Sequence, residues 1–143
     1  MTRLVVDSSV AVKWFVPEVH SERAALLLSG GVELAAPDLL LSEFGNILWK
    51  KHRRGELTSA EVRDVAAALD QVPLRIEPTA DLLPAALEIA MACDRTVYDS
   101  IFVALASRLG CRLVTADKRL VNALASREIG SSLLWLGDLD NLS

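Results

Sequence analysis

Four carboxylates occupy positions where a globular chain has no structural need of one. Asp7 directly follows the apolar run Leu4-Val5-Val6, and Asp117 closes Leu113-Val114-Thr115-Ala116 in the same way. Glu43 lies among Leu39, Leu40 and Ile47, its neighbours one helical turn away, so an acid sits on or beside an apolar stripe. Asp99 is followed at helical spacing by Phe102, Val103 and Ala106, so it shares the core-facing side of its helix. Singly, each has an ordinary reading. Asp7, Asp99 and Asp117 can cap helix N-termini, and Glu43 can reach solvent from the stripe edge. Together they ask for more, because unpaired buried acids are costly and rare. Carboxylates converging at one end of a sheet also raise one another's pKa. A divalent cation relieves that repulsion, and Mg²⁺ and Mn²⁺ prefer oxygen ligands. His20 and His52 are isolated, and Cys93 and Cys111 form no C-x-x-C, so no zinc cluster is available. Metals held by carboxylates suit phosphodiester hydrolysis, in which they activate water and stabilise charge on an in-line displacement.

The charge balance fits that chemistry. The chain has 143 residues, 19 acids, 15 Lys and Arg and a formal net charge of −4. Without the four acids the remaining charges cancel, so the whole negative excess sits in the proposed site. A general polyanion binder is expected to be basic, so nucleic-acid contact here must rest on bound cations or a local patch. Lys50-Lys51-His52-Arg53-Arg54 ends the stretch that carries Glu43, while Lys13, Lys118 and Arg119 lie close in sequence to two of the acids. The plain reading of the cluster is cations complementing a helix C-terminus, and the functional one is contact with phosphates. Trp14, Trp49 and Trp135 read as core or interface residues, and only Trp49 has basic neighbours of the kind that flank base-stacking aromatics.

The elements that must position these groups alternate between short β-like runs and helical runs, the signature of an α/β layered domain. Strands are expected at Leu4–Val6, Glu33–Ala35, Leu74–Ile76 (an edge), Arg112–Val114 and Leu133–Leu136. Helices are expected at Ala11–Phe15, at Ser21–Leu28 with Ser21 as cap, from Pro37 to Arg53, and at Ser59–Leu69 with Thr58 and Glu61 as a capping box. Three more follow at Ala80–Cys93, Tyr98–Leu109 and Lys118–Ser126. In such sheets functional groups gather beyond the carboxyl ends of the strands, where Asp7 and Asp117 fall. With 52% hydrophobic residues and only 5% aromatics, the chain reads as one helix-rich domain over 1–143. No apolar run reaches the roughly 18 residues of a membrane span. The first seven residues do not read as a signal peptide, and two reduced thiols are expected, so the expectation is a cytoplasmic protein.

These residues, in this order, resemble those of the PIN-domain ribonucleases, and specifically the VapC-type toxins of toxin–antitoxin pairs. The likeness rests on Val5-Val6-Asp7-Ser8-Ser9-Val10, Trp14-Phe15, Ser42-Glu43-Phe44-Gly45-Asn46, Tyr98-Asp99-Ser100 through Ala106, and Leu113-Val114-Thr115-Ala116-Asp117. It covers nearly the whole chain. It implies a three-layer α/β/α sandwich on a short parallel sheet of about five strands, and Mg²⁺- or Mn²⁺-dependent RNA cleavage at Asp7, Glu43, Asp99 and Asp117. Asp7, Asp99 and Asp117 would bind metal, and Glu43 would orient or deprotonate the attacking water. Ser8, Ser9, Asn46 and Thr115 would hold the carboxylates. The resemblance also implies a homodimer and an antitoxin that occupies the groove near the site. A catalytically silent binding module has no need of all four acids. A phosphotransfer domain of the HAD kind usually reads Asp-x-Asp, whereas Ser9 stands in the second place here. A receiver would need paired acids near its first strand.

Overall fold

A computed structural model describes residues 2–140. Five strands form one all-parallel sheet in the order β3-β2-β1-β4-β5: β1 Thr2–Val6, β2 Val32–Pro37, β3 Leu74–Glu77, β4 Arg112–Thr115 and β5 Leu133–Trp135. β1 is central, and its Leu4, Val5 and Val6 are all buried. A continuous apolar run suits a strand covered on both faces, where alternation would waste half its side chains. The helices are α1 Ser8–Ala11, α2 Ser21–Leu26, α3 Leu39–Arg53, α4 Ser59–Leu69, α5 Leu83–Cys93, α6 Val97–Leu109 and α7 Lys118–Leu124. Connections leave β1 and β2 toward one edge of the sheet and β3 and β4 toward the other. Right-handed crossovers therefore put α1–α4 on one face and α5–α7 on the opposite face. α1 packs on α3 and α3 on α4, while α5 packs on α6, which lies across β1, β2 and β4. The result is the expected three-layer α/β/α sandwich. The change of direction falls between β1 and β4, which makes their carboxyl ends the crevice of the sheet.

The chain departs from the sequence reading at several helix starts. Pro37 does not open α3; it is the last residue of β2, opposite Glu77, and α3 begins at Leu39. A proline at a strand end gives up only one ladder donor, and the adjacent Asp38 N–H restores pairing by donating to the Glu77 carbonyl at 2.9 Å. Ser21 is the first residue of α2 rather than its cap. Its hydroxyl is used in the preceding loop, where it accepts from the Glu18 N–H at 2.9 Å. The first helix starts at Ser8, not Ala11, because Asp7 caps it, and a 3₁₀ turn continues it over Val12–Trp14. A 3₁₀ turn at Thr79–Asp81 replaces the first turn expected from Ala80, and α5 follows with Pro84 in its first turn, where a missing N–H costs nothing. The Thr58–Glu61 capping box forms as expected. Among the described residues no helix is long and apolar enough to cross a membrane.

Two glycines test how tightly the frame is packed. A Cβ on Gly130 would stand 2.0 Å from the Leu124 carbonyl oxygen, so the turn into β5 must shift to accept one. A Cβ on Gly45, inside α3, meets nothing within 4 Å. Urea unfolding should show Gly130→Ala destabilised by about 1–3 kcal/mol, and Gly45→Ala stabilised by up to about 1 kcal/mol. Equal effects would mean that the last turn is not packed as described.

Candidate active site

The loop leaving β1 places three functional groups in succession. Asp7 Oδ1 accepts from the Val10 N–H at 3.2 Å and caps α1, while the Ser9 hydroxyl also donates to Oδ1. Thr115, the last residue of β4, donates its hydroxyl to Asp7 Oδ2. The same two hydroxyls accept in turn: Ser9 Oγ from the Ala116 N–H at 3.1 Å, and Thr115 Oγ1 from the Asp117 N–H at 3.0 Å. Each hydroxyl proton is thereby directed at Asp7, and the carboxyl ends of β1 and β4 are tied through that one side chain.

The other three acids arrive from separate elements. Glu43 projects from the second turn of α3, where Ser8 Oγ donates to its Oε1 at 3.0 Å. Asp99 lies in the first turn of α6, but Thr96 is the cap, accepting from the Asp99 N–H at 3.1 Å. That leaves the Asp99 carboxylate to Arg95, whose guanidinium is 3.1 Å from Oδ2. Asp117 caps α7, its Oδ1 accepting from the Arg119 N–H at 3.0 Å, with the Arg119 side chain 3.8 Å away. Capping and membership of the site are therefore compatible readings for Asp7 and Asp117. All four acids line one cavity of about 170 Å³, with Ser8, Ser9, Phe102 and Leu120 completing its wall. Asn46 is not in that wall and stands exposed on α3.

The electrostatics identify what the cavity lacks. Burial pushes the Asp7 carboxyl up to about 6, with the Asp117 charge adding to it, against the downward pull of Ser9, Thr115 and Val10. Burial also raises Glu43, reinforced by Asp7 and Asp99, while Ser8 opposes it. Arg95 and Arg119 touch Asp99 and Asp117, yet among the described residues neither Asp7 nor Glu43 has a basic partner. Four carboxylates with too little positive charge form an oxygen-only donor set that fits Mg²⁺ or Mn²⁺. No three acids among the described residues are drawn close enough to cage an ion by themselves.

The basic residues divide. Lys13 and Lys51 both reach Glu18, Lys118 lies 3.9 Å above the Trp135 ring, and Arg53 lies 5.4 Å from the Trp49 ring. Trp14 packs against the core and donates its indole N–H to the Ala24 carbonyl at 3.0 Å. Arg95 and Glu18 were not singled out from sequence. The only trace of Arg95 is its spacing of four residues before Asp99, while Glu18 pairs with Lys51, 33 residues away, and with Lys13, five residues before it, a spacing that is not one helical turn.

A carboxyl whose pKa is raised by folding binds its proton more tightly in the folded state. Its contribution is fully present below the ordinary value near 3.8 and is lost as pH rises through about 6. In EDTA, the stability of Asp7→Asn relative to wild type should therefore rise between pH ~4 and ~7, by up to roughly 3 kcal/mol in urea unfolding. Parallel curves for the two proteins would refute the desolvated, uncompensated state of the Asp7 carboxyl.

Known proteins share both sequence and fold with this chain. Residues 4–124 match the PIN domain family. Ribonuclease VapC3 of Pyrobaculum aerophilum is 38% identical over 120 residues, which is 82% of this chain and 92% of that protein. Ribonuclease VapC1 of Mycobacterium tuberculosis is 31% identical over 86% of this chain and 92% of its own. A crystal structure from Pyrobaculum aerophilum superposes with a TM-score of 0.67 at 23% identity, over 96% of this chain and 86% of that one. Shared sequence over most of both lengths and a shared five-stranded frame place the chain in the PIN-domain family, among the VapC ribonuclease toxins.

Proposed function

We propose that this chain, as a single PIN domain, hydrolyses RNA phosphodiester bonds with the help of Mg²⁺ or Mn²⁺ held by Asp7 and Asp99, with Asp117 binding the ion directly or through water. The observation that carries this reading is the convergence of four acids from four different elements on one cavity, two of them without a counter-charge. When bound, the cation would neutralise charge on the phosphate and lower the pKa of water. Glu43 is the group suited to take the proton of the attacking water. Ser8 fixes one of its oxygens, and burial raises its affinity for a proton. As the water oxygen bonds to phosphorus and the phosphorus–ribose oxygen bond breaks, that proton is left on Glu43, and the departing ribose oxygen takes up a proton from solvent to become a hydroxyl. Ser9 and Thr115 hold both oxygens of Asp7 and prevent its rotation.

The relatives named VapC ribonucleases support the ribonuclease reading; we further propose that a cognate antitoxin occupies the groove near the site and that the protein acts in the cytoplasm. For the homodimer, Leu83, Leu87 and Met91 are exposed at intervals of four on α5, and we assign self-association to that face.

Purified wild type should cut a panel of structured RNAs with Mg²⁺ or Mn²⁺ and not with EDTA. Asp99→Asn should lose at least about 100-fold in rate while remaining folded by circular dichroism. Retention of most metal-dependent cleavage by Asp99→Asn would sink the assignment.

A further inference from the structure

Beside the acid cavity lies a second one, of about 370 Å³, with the opposite charge. Lys13 enters it from the 3₁₀ turn after α1, and Lys50, Lys51 and Arg54 enter from the end of α3. One acid, Glu18, stands among these four cations. Lys51 Nζ is 2.7 Å from Glu18 Oε2 and Lys13 Nζ is 3.4 Å from Oε1. Both lysine side chains are only 12–13% exposed. Lysine usually runs its stem along the surface and keeps its ammonium in water. Here two ammoniums are drawn under cover and face a single carboxylate, which can neutralise one of them. Lys50 and Arg54 add two more positive charges, leaving an excess of three in a chain whose net charge is −4. The two cavities meet at Ser9, which lines both and whose hydroxyl also holds Asp7. Ala116, next to Asp117, lines the basic one.

We propose that this basic cavity is the subsite for a backbone phosphate of the RNA strand next to the bond that is cut, with Glu18 as the positioning residue that gathers Lys13 and Lys51 there. The proposal rests on the ribonuclease reading for its choice of polyanion. A strand entering a pocket of four carboxylates is repelled, and a cationic hold one step along the backbone offsets that repulsion. The cavity is large enough for a nucleotide-sized group, since small-ligand pockets run from ~300 Å³ upward. Glu18 keeps the two ammoniums together in the absence of RNA and competes for them when a phosphate arrives.

The test is binding of a fluorescein-labelled single-stranded RNA in EDTA, followed by anisotropy over a series of KCl concentrations. Lys51→Gln should weaken binding severalfold and reduce the slope of log K against log salt by about 0.7. Because Lys51 is covered and its loss leaves Glu18 less well paired, the exposed pair Lys50→Gln/Arg54→Gln provides a second reading that does not disturb the interior, and should act in the same direction. Glu18→Gln should tighten binding and steepen the slope, a result that a purely structural ion pair would not produce. Unchanged affinity and slope in both lysine variants would overturn the subsite, as would RNA that fails to bind wild type at the lowest salt. An acidic peptide whose binding depends on Lys51 while RNA binding does not would overturn it in favour of a protein partner. The two readings separate in a parallel cleavage assay. Cleavage by wild type, with Lys51→Gln unaltered in both KM and RNA binding, removes the subsite and leaves the nuclease. Lysine-dependent RNA binding without metal-dependent cleavage removes the nuclease and leaves the subsite.

Discussion

The arrangement depends on one half-buried carboxylate. Asp7 ends the central strand, caps the helix that follows, and receives hydroxyl protons from Ser9 beside it and Thr115 on the neighbouring strand. Its own N–H donates to the Val114 carbonyl at 3.4 Å, so backbone and side chain both bind β1 to β4. Parallel strands have no hairpin to hold their ends together. Here a side-chain network supplies that link at the point where the sheet changes direction. Hydroxyls that each accept from a backbone N–H have only one proton to give, and both give it to Asp7. The carboxylate is therefore fixed before any ligand arrives, which is what a metal site needs from the residues around it.

This fixation has an electrostatic cost. Hydrogen bonds lower the pKa of Asp7, yet burial outweighs them, and Asp117 stands close enough to add repulsion. Glu43 repeats the pattern with Ser8 as its one donor. Arg95 offsets part of the charge at Asp99 and Arg119 part of that at Asp117. The deficit is left at the centre, where a cation and a phosphate would meet. Next to it the sign of the potential reverses around Glu18. A polyanion lying across the two cavities, as proposed, would meet attraction and repulsion side by side, an arrangement that fixes register more than it adds affinity.

Much of the fold could be read from local pattern. Leu4-Val5-Val6 and Leu113-Val114 are strands because short, fully apolar runs bounded by polar turns suit a doubly covered sheet. Thr58 with Glu61, and Gly110 in the left-handed conformation after α6, end their helices as residue type alone suggests. Local pattern misleads where a residue has two compatible uses. Pro37 suits a helix start and a strand end alike, and only its place opposite Glu77 decides. Ser21 is a good cap, but its hydroxyl is taken by a loop residue three positions earlier.

For the site, the chain's own order was enough to mark the four acids as out of place, because burial of a carboxylate is costly whatever the fold and hydrophobic neighbours betray it. Sequence also determined the strand–helix alternation, and with it the carboxyl end of the sheet, to which Asp7 and Asp117 belong. Only the tertiary structure decided which hydroxyls hold Asp7, that Arg95 shields Asp99 while Asn46 faces outward, and that Lys13 and Lys51 share one carboxylate. The pairings that hold the frame together join distant segments, 108 residues apart for Asp7 and Thr115 and 33 for Glu18 and Lys51. Periodicity and capping rules act over a turn or two of chain, so contacts of this range exist only once the sheet order has brought the segments together.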